Sequence, residues 1–199
     1  MLHSLKSIIG YTVQGTDKPA GNVVDFYVDD VTWAIRHVAV DNHGGVGIQF
    51  ASVEPDQIAD LDADSGRLHV NRTQADIAGG PDVSLDPPVS HHVNRQNDEH
   101  LRSIDEIVGY EVVAGDGKAG AIEDFLVDDT TWRIGIIVVA DPKGREVMVG
   151  PGLLDRLDFD AKTAHVELDC AHFAKSPVYD SGNPPKRIDE VRLVGREGV

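Results

Sequence analysis

The sequence has little of several features that mark common classes of protein. Its single cysteine, Cys170, excludes an intrachain disulfide bond and a cysteine-based zinc site. Its longest dense apolar run, residues 136–140, has the length of a strand, whereas a membrane-spanning helix needs about 18 apolar residues or more. Its first residues lack the basic stretch and apolar core of a signal peptide. These absences predict a cytoplasmic, bacterial-type protein that does not insert directly into a membrane.

Basic residues are also scarce. Lys and Arg number 18 against 34 Asp and Glu, which gives a formal net charge of −16. A surface with this charge repels phosphate groups, so nucleic acids and anionic membranes are disfavoured as partners. The charge is compatible with a basic protein partner, with weak cation binding, or with high solubility alone. Solubility is the simplest of these explanations.

Enzyme signatures are absent as well. The sequence contains no Gly-x-Ser-x-Gly motif, no phosphate-binding loop and no His-Glu-x-x-His motif. Cys170 and His172 lie two positions apart on a short predicted helix, where their side chains do not face each other. No third group is indicated that would orient such a pair for nucleophilic catalysis. We therefore expect no enzyme activity, no catalytic residues and no cofactor.

The sequence does contain an internal repeat. Residues 21–33 and 120–132 are identical at eight of thirteen positions, at an offset of 99. The similarity covers roughly residues 4–82 and 103–178, and a gene duplication is the simplest explanation. The predicted organisation is a first repeat at residues 1–82, a linker at 83–98, a second repeat at 99–180 and a C-terminal tail at 181–199.

Each copy shows the same local pattern. One helical turn ending in glycine precedes short apolar or alternating runs, which are bounded by Gly- and Asp-containing turns. Such short strands predict a small antiparallel barrel or sandwich. Thr73 and Asp169 are placed to cap a short helix after the last strand, and a proline follows each helix. In the tail, residues 187–194 predict an extra edge strand or a docking segment.

The order of these motifs resembles that of a known family. Each copy contains Gly-Tyr, then a glycine ahead of Asp-Phe-x-Val-Asp-Asp-x-Thr-Trp, then an Ile/Val-rich strand, His-Val and a short helix before proline. This order is similar to that of a tandem pair of PRC-barrel domains. Members are small all-β barrels that occur in the photosynthetic reaction-centre H subunit, in a ribosome-maturation factor and as stand-alone bacterial proteins. The resemblance implies an all-β fold: two PRC-type antiparallel β-barrels in tandem, each with a short helix near its end. It transfers no catalytic residues. It implies an adaptor or regulatory barrel that works through protein contacts.

The doubled stretch supplies the candidate site residues. The pairs Asp29-Asp30 and Asp128-Asp129 could hold a cation, but aspartate also starts turns, and turn formation is the favoured interpretation. Asp25 and Asp124 either bond turn amides or face solvent. Aromatic residues at equivalent positions of a repeat favour core packing or an interface between the domains. These candidate packing residues are Trp33, Trp132, Phe26 and Phe125.

Other metal-binding patterns are weaker. Asp62-Ala-Asp64-Ser-Gly66 resembles the start of a calcium loop, but its twelfth position is Thr73 rather than glutamate, so a hairpin turn is favoured. The nine histidines lack the spacing of helix-borne metal ligands. The Gly-rich stretch 43–47 predicts a loose hairpin turn. No metal site is therefore predicted.

The leading functional hypothesis is a non-enzymatic interaction or regulatory module with an unknown protein partner. A partner would dock on exposed strand edges or between the barrels. The alternative is a small-ligand or cation-binding protein that uses the cleft between the barrels. The oligomeric state is left open, with a homo-oligomer as one alternative.

Overall fold

The computed structural model describes residues 1–41, 50–81, 88 and 100–193. Its strands are β1 (Leu2–Ser4), β2 (Thr12–Gln14), β3 (Pro19–Asp29), β4 (Ile35–Asp41), β5 (Phe50–Val53), β6 (Ile58–Asp62), β7 (Arg67–Val70), β8 (Leu101–Ser103), β9 (Glu111–Ala114), β10 (Gly117–Asp128), β11 (Arg133–Ala140), β12 (Glu146–Val149), β13 (Leu154–Asp158) and β14 (Thr163–Val166). Its short α-helices are α1 (Leu5–Ile8), α2 (Gln74–Ala78), α3 (Ile104–Ile107) and α4 (Cys170–Phe173). The protein is mostly β, which confirms the predicted class at that level.

The strands form two sheets of seven, one for each repeat. The first-repeat sheet has the order β5-β4-β3-β2-β7-β6, and β8 pairs with β3. The second-repeat sheet has the order β12-β11-β10-β9-β14-β13, and β1 pairs with β10. The paired strands are antiparallel except for β2 with β7 and β9 with β14, which are parallel. Because equivalent strands take equivalent places, the repeat in the sequence is also a repeat in the fold.

The sheets are open in the part of the chain that the structure describes. The end strands β5 and β6 of the first-repeat sheet do not pair with each other, and neither do β12 and β13 of the second. No closed barrel is therefore seen among these residues. The PRC-type barrel stays a prediction.

Contacts divide the chain into two compact units, each containing one sheet. The first-repeat unit is Lys6–Asp105, and the second-repeat unit combines Met1–Leu5 with Glu106–Val199. The strand that begins each repeat in the sequence thus belongs to the unit of the other repeat. We call β1 and β8 the exchanged strands. The predicted linker at 83–98 lies outside the described residues, apart from Pro88.

The two longest strands, β3 and β10, carry the centre of each core. Phe26 and Phe125 lie on these strands and are fully buried. The pairing of β3 with β4 shifts register between Val23 and Asp25, and that of β10 with β11 shifts at the equivalent place, just before Asp124. A bulge of this kind re-aims the side chains beside it. In both sheets the side chain that follows the shift is an aspartate.

The short helices begin as the sequence predicts. Thr73 Oγ1 accepts a hydrogen bond from the Asp76 N–H at 3.2 Å, and Asp169 Oδ1 accepts one from the His172 N–H at 2.7 Å. These contacts satisfy N–H groups at the starts of α2 and α4. In the described ranges, no helix has the length and apolar character needed to cross a membrane.

The C-terminal tail lies against the second-repeat sheet. Of residues 187–194, those up to Leu193 are described, and they form a 3-10 turn at Ile188–Glu190 and no strand. Leu193 is buried in one cluster with Leu126 and Met148. The Leu2 N–H also donates to the Lys186 carbonyl at 2.8 Å. The described part of the tail is thus a docking segment rather than an edge strand.

Candidate interaction site at the edges of β3 and β10

The first aspartate of each Asp-Asp pair organises a turn. Asp29 Oδ1 accepts hydrogen bonds from the Thr32 N–H at 2.7 Å and from the Thr32 hydroxyl at 2.8 Å. Asp128 Oδ1 accepts them from the same groups of Thr131, at 3.1 and 3.4 Å. Aspartate side chains commonly bond nearby backbone N–H groups in this way. These contacts hold the turns between β3 and β4 and between β10 and β11.

The tryptophan that ends each turn has an unusual backbone conformation. Trp33 has φ 56° and Trp132 has φ 51°, in the left-handed region, which costs a residue with a side chain about 1–2 kcal/mol. The N–H of each donates to the carbonyl of Asp29 or Asp128 at 2.8 Å. Both side chains are buried, and this burial offsets the backbone cost. A role of these tryptophans at an interface stays a prediction.

The second aspartate of each pair contacts an exchanged strand. Asp30 binds Arg102 through Nε at 2.5 Å and His100 through Nδ1 at 2.9 Å. The Arg102 and Asp30 side chains are only 15% and 10% exposed, so water screens this ion pair weakly. In the second-repeat unit, Asp129 contacts His3 Nε2 at 2.9 Å and pairs with the Met1 amino group. The main partners of Asp30 and Asp129 thus lie on or beside β8 and β1, and Asp129 also accepts the Thr130 hydroxyl in the turn at 3.3 Å.

The aspartates at the bulges contact the same exchanged strands. The Ser103 hydroxyl donates to Asp25 Oδ2 at 2.5 Å, and the Asp105 N–H donates to Asp25 Oδ1 at 3.1 Å. The Ser4 hydroxyl donates to Asp124 Oδ2 at 2.5 Å. These carboxylates therefore neither face solvent nor bond the Asp-Asp turn. They receive the end of β8 or of β1, where the chain enters α3 or α1.

Backbone pairing completes the site. β8 pairs with β3 over Tyr27–Asp29, and β1 pairs with β10 over Leu126–Asp128. The leucine of each exchanged strand, Leu101 or Leu2, is buried. Burial of a leucine side chain stabilises the folded state by about 1.5–3 kcal/mol. We call residues 25–30 and 124–129, which combine this pairing surface with the aspartates, the docking edges. Each docking edge lies inside one copy of the doubled stretch, so the stretch encodes a strand-binding site.

Sequence reasoning found the aspartates but missed what they hold. It assigned the Asp-Asp pairs to turns, which describes the contacts of Asp29 and Asp128 but not those of Asp30 and Asp129. It also missed β1 and β8 as strands. A signal was present, because Leu2 and Ser4 recur as Leu101 and Ser103 at the offset of 99.

The other candidate residues have structural contacts. Asp62 Oδ1 accepts the Ser65 N–H at 3.0 Å in the hairpin between β6 and β7. A hydrogen bond with Asp116 raises the pKa of the Cys170 thiol, which makes it a poorer nucleophile. Among residues 1–41, 50–81 and 100–193, no three His, Cys, Asp or Glu side chains are grouped to hold a metal ion. The glycine-rich stretch 43–47, His91 and His92 lie outside the described residues.

We expect Asp25→Asn to stabilise the first-repeat unit at neutral pH. Burial raises the pKa of Asp25 from 3.8 to about 6, against the hydrogen bonds from Ser103 and Asp105. The pKa of Asp25 is higher in the folded than in the unfolded protein. Its contribution to the free energy of unfolding is therefore fully present below about pH 4 and is lost as pH rises through about 6. The cost of ionisation at neutral pH is about 2–3 kcal/mol, and asparagine avoids it. The measurement is the free energy of urea unfolding in acid and at neutral pH.

Asp29→Asn is the matched control, because its effect on stability should depend on pH in the opposite sense. Burial acts to raise the pKa of Asp29, but hydrogen bonds from Thr32 and Val31 outweigh it, so this pKa is lowered. A lowered pKa gives stability that is present at neutral pH and lost in acid. Asp29→Asn should therefore destabilise most at neutral pH. An Asp25→Asn effect of the same sign and size at both pH values would contradict the raised pKa of the half-buried Asp25 carboxyl group.

Comparison with known proteins gives no family for this chain. Its sequence matches no protein-family model, and no curated protein matches it significantly. The resemblance to PRC-barrel domains therefore depends on the repeated motifs alone.

Proposed function

We propose that this protein is a non-enzymatic, PRC-barrel-like interaction or regulatory module that acts through protein–protein contacts. One observation carries the proposal: each sheet is extended by a strand from outside its own repeat, through backbone pairing and side-chain contacts. Addition of a strand to a sheet edge is a general mode of peptide recognition. The docking edges use this mode within the chain. A partner protein would use it at a strand edge that the chain leaves open.

The edge at β6 has the features of such a site. In the described part of the first-repeat unit, β6 pairs with β7 on one side and with no strand on the other. Exposed carboxylates line this region, so an extended basic segment is the complementary partner. Charges along an open edge also discourage pairing with another acidic edge. The exposed acidic residues are Glu54, Asp56, Asp60 and Asp64.

We expect the double variant Asp56→Lys, Asp60→Lys to lose the partner in a pull-down from native cells, by about tenfold or more. The variant reverses two charges at the edge while keeping the backbone. A matched control is Asp155→Lys with Asp160→Lys, which makes the same change in charge at exposed positions of the second-repeat unit. Recovery of the partner by the β6 variant at the wild-type level would exclude β6 as the docking site. Failure of the wild-type protein to recover any partner would remove the main support for an interaction module.

The same protein sample tests the ligand-binding alternative. A ligand that binds the folded protein raises its melting temperature by mass action. A rise with calcium, with zinc or with a member of a metabolite panel would favour a cation- or small-ligand-binding protein. We expect no such rise, because the described carboxylates nearest the turns already accept hydrogen bonds within the protein.

A further inference from the structure

The two exchanged strands carry the same recognition pattern. β1 reads Leu-His-Ser and β8 reads Leu-Arg-Ser, so each has a leucine, a basic residue and a serine in that order. Ser4 lies opposite Leu126, and Ser103 lies opposite the equivalent Tyr27. The register is therefore the same on both docking edges.

Each position of the pattern makes the same type of contact on both edges. The leucine is buried, with 7% exposure for Leu2 and none for Leu101. The basic side chain reaches the second aspartate of the Asp-Asp pair, and the serine hydroxyl reaches the bulge aspartate at 2.5 Å. A docking edge thus recognises a short extended segment by three side chains and backbone pairing. Nothing in these contacts requires the strand to come from the same chain as the edge.

The connection between an exchanged strand and the rest of the chain is short. The division between units falls between Leu5 and Lys6 within α1, directly after β1. It falls between Asp105 and Glu106 within α3, directly after β8. Gly10 and Gly109, both with positive φ, follow these helices. β1 can therefore be given to a different docking edge by a change at α1.

We propose that two copies of this chain exchange β1, so that β1 of each copy docks on the β10 edge of the other. The contacts in this dimer are those already made within one chain, as in other domain-swapped proteins. The balance between the two forms depends on chain concentration relative to the effective concentration of the tethered strand, which is of the order of millimolar for short linkers. A net charge of −16 on each copy opposes association. Salt screens this repulsion, so salt should favour the dimer.

A complementation experiment separates this exchange from other association. The strand-deficient chain carries Leu2→Asp, which places a carboxylate in the cluster with Leu126 and Ile136. The edge-deficient chain carries Asp124→Ala with Asp129→Ala. In a mixture, the intact β1 of the edge-deficient chain can dock on the intact β10 edge of the strand-deficient chain. Removal of the competing intrachain pairing in both chains lets the exchange appear below the concentration that the wild type needs.

The readout is the mass from sedimentation equilibrium at roughly millimolar chain concentration. We expect the mixture to contain a species of twice the 21.5 kDa chain mass, increased by salt, and each variant alone to be monomeric. A chain that carries all three substitutions must stay monomeric at the same chain concentration and in the same salt. A mixture that stays monomeric overturns the proposal, and so does dimerisation of the triple variant, because that association would use another surface.

If circular dichroism shows that Leu2→Asp prevents folding, Ser4→Ala with His3→Ala replaces it. This variant weakens two of the three side-chain contacts of β1 and keeps the buried leucine. The expected heterodimer and the two contradicting outcomes are unchanged. The inference does not depend on the proposed β6 partner, since neither docking-edge variant alters β6, and the β6 variants alter neither β1 nor β10.

Discussion

Replacing Gly21 or Gly120 by alanine should destabilise the unit that contains it by about 3 kcal/mol or more. A Cβ atom at Gly21 would lie 2.0 Å from the Asp41 carbonyl oxygen, and one at Gly120 would lie 2.3 Å from that of Ala140. Both oxygens belong to the backbone of the paired neighbouring strand, so they cannot move without breaking the sheet. Gly21 also has φ 141°, which other residues rarely adopt. These two glycines open the doubled stretch, and close strand pairing explains why both copies have glycine there.

Each unit has its own fluorescent probe for this measurement. The chain has two tryptophans, with Trp33 in the first-repeat unit and Trp132 in the second. Urea unfolding followed in a Trp132→Phe background reports on Gly21→Ala, and a Trp33→Phe background reports on Gly120→Ala. The control is Gly152→Ala, since a Cβ atom there would meet nothing within 4 Å; a change within about 0.5 kcal/mol is expected. A Gly21→Ala effect as small as that of the control would refute the close approach of β3 and β4.

The second large effect is expected for Asp124→Ala, which should cost about 2–4 kcal/mol and release β1. Asp124 is 7% exposed and accepts the Ser4 hydroxyl and, at 2.7 Å, the N–H of Phe125. Alanine removes the acceptor of both groups in a buried setting, where a lost hydrogen bond is costly. Asp124→Asn keeps one acceptor oxygen and should recover part of the loss.

Hydrogen exchange distinguishes release of β1 from general destabilisation. In Asp124→Ala, the amides of residues 2–4 should lose protection at a lower urea concentration than those of β11. The reciprocal variant Asp25→Ala should release residues 101–103 and leave residues 2–4 protected. Asp155→Ala, at an exposed position of β13, is the control and should change neither segment. Unchanged protection of residues 2–4 in Asp124→Ala would show that the bulge aspartate does not hold the exchanged strand.

Much of the fold was accessible from the sequence because its signals are local. Alternating apolar runs predict β3, β4, β10 and β11, and cap residues predict the starts of α2 and α4. The offset of 99 predicts that both copies share one fold. The turn role of Asp29 and Asp128 also follows from local chemistry, because their partners lie two or three residues away.

The exchange of strands could not be predicted for a physical reason. Leu2-His3-Ser4 and Leu101-Arg102-Ser103 make the same three kinds of side-chain contact, so the sequence pattern does not distinguish one docking edge from the other. The sequence therefore gives no preference between pairing within a repeat and pairing across repeats. The partners of Asp30 and Asp124 were missed for the same reason, since each lies in a segment far away in the sequence. The edge strands β6 and β13 were missed because their exposed centres break the alternation.

The doubled stretch forms two edges that each bind the strand of the other repeat. Solution NMR can detect this pairing through cross-strand contacts between backbone protons. We predict nuclear Overhauser effects that connect His3 with Val127 and Arg102 with Val28, the opposed residues of the exchanged pairs. Effects that connect His3 with Val28 and Arg102 with Val127 instead would show that each repeat keeps its own strand and that no exchange takes place.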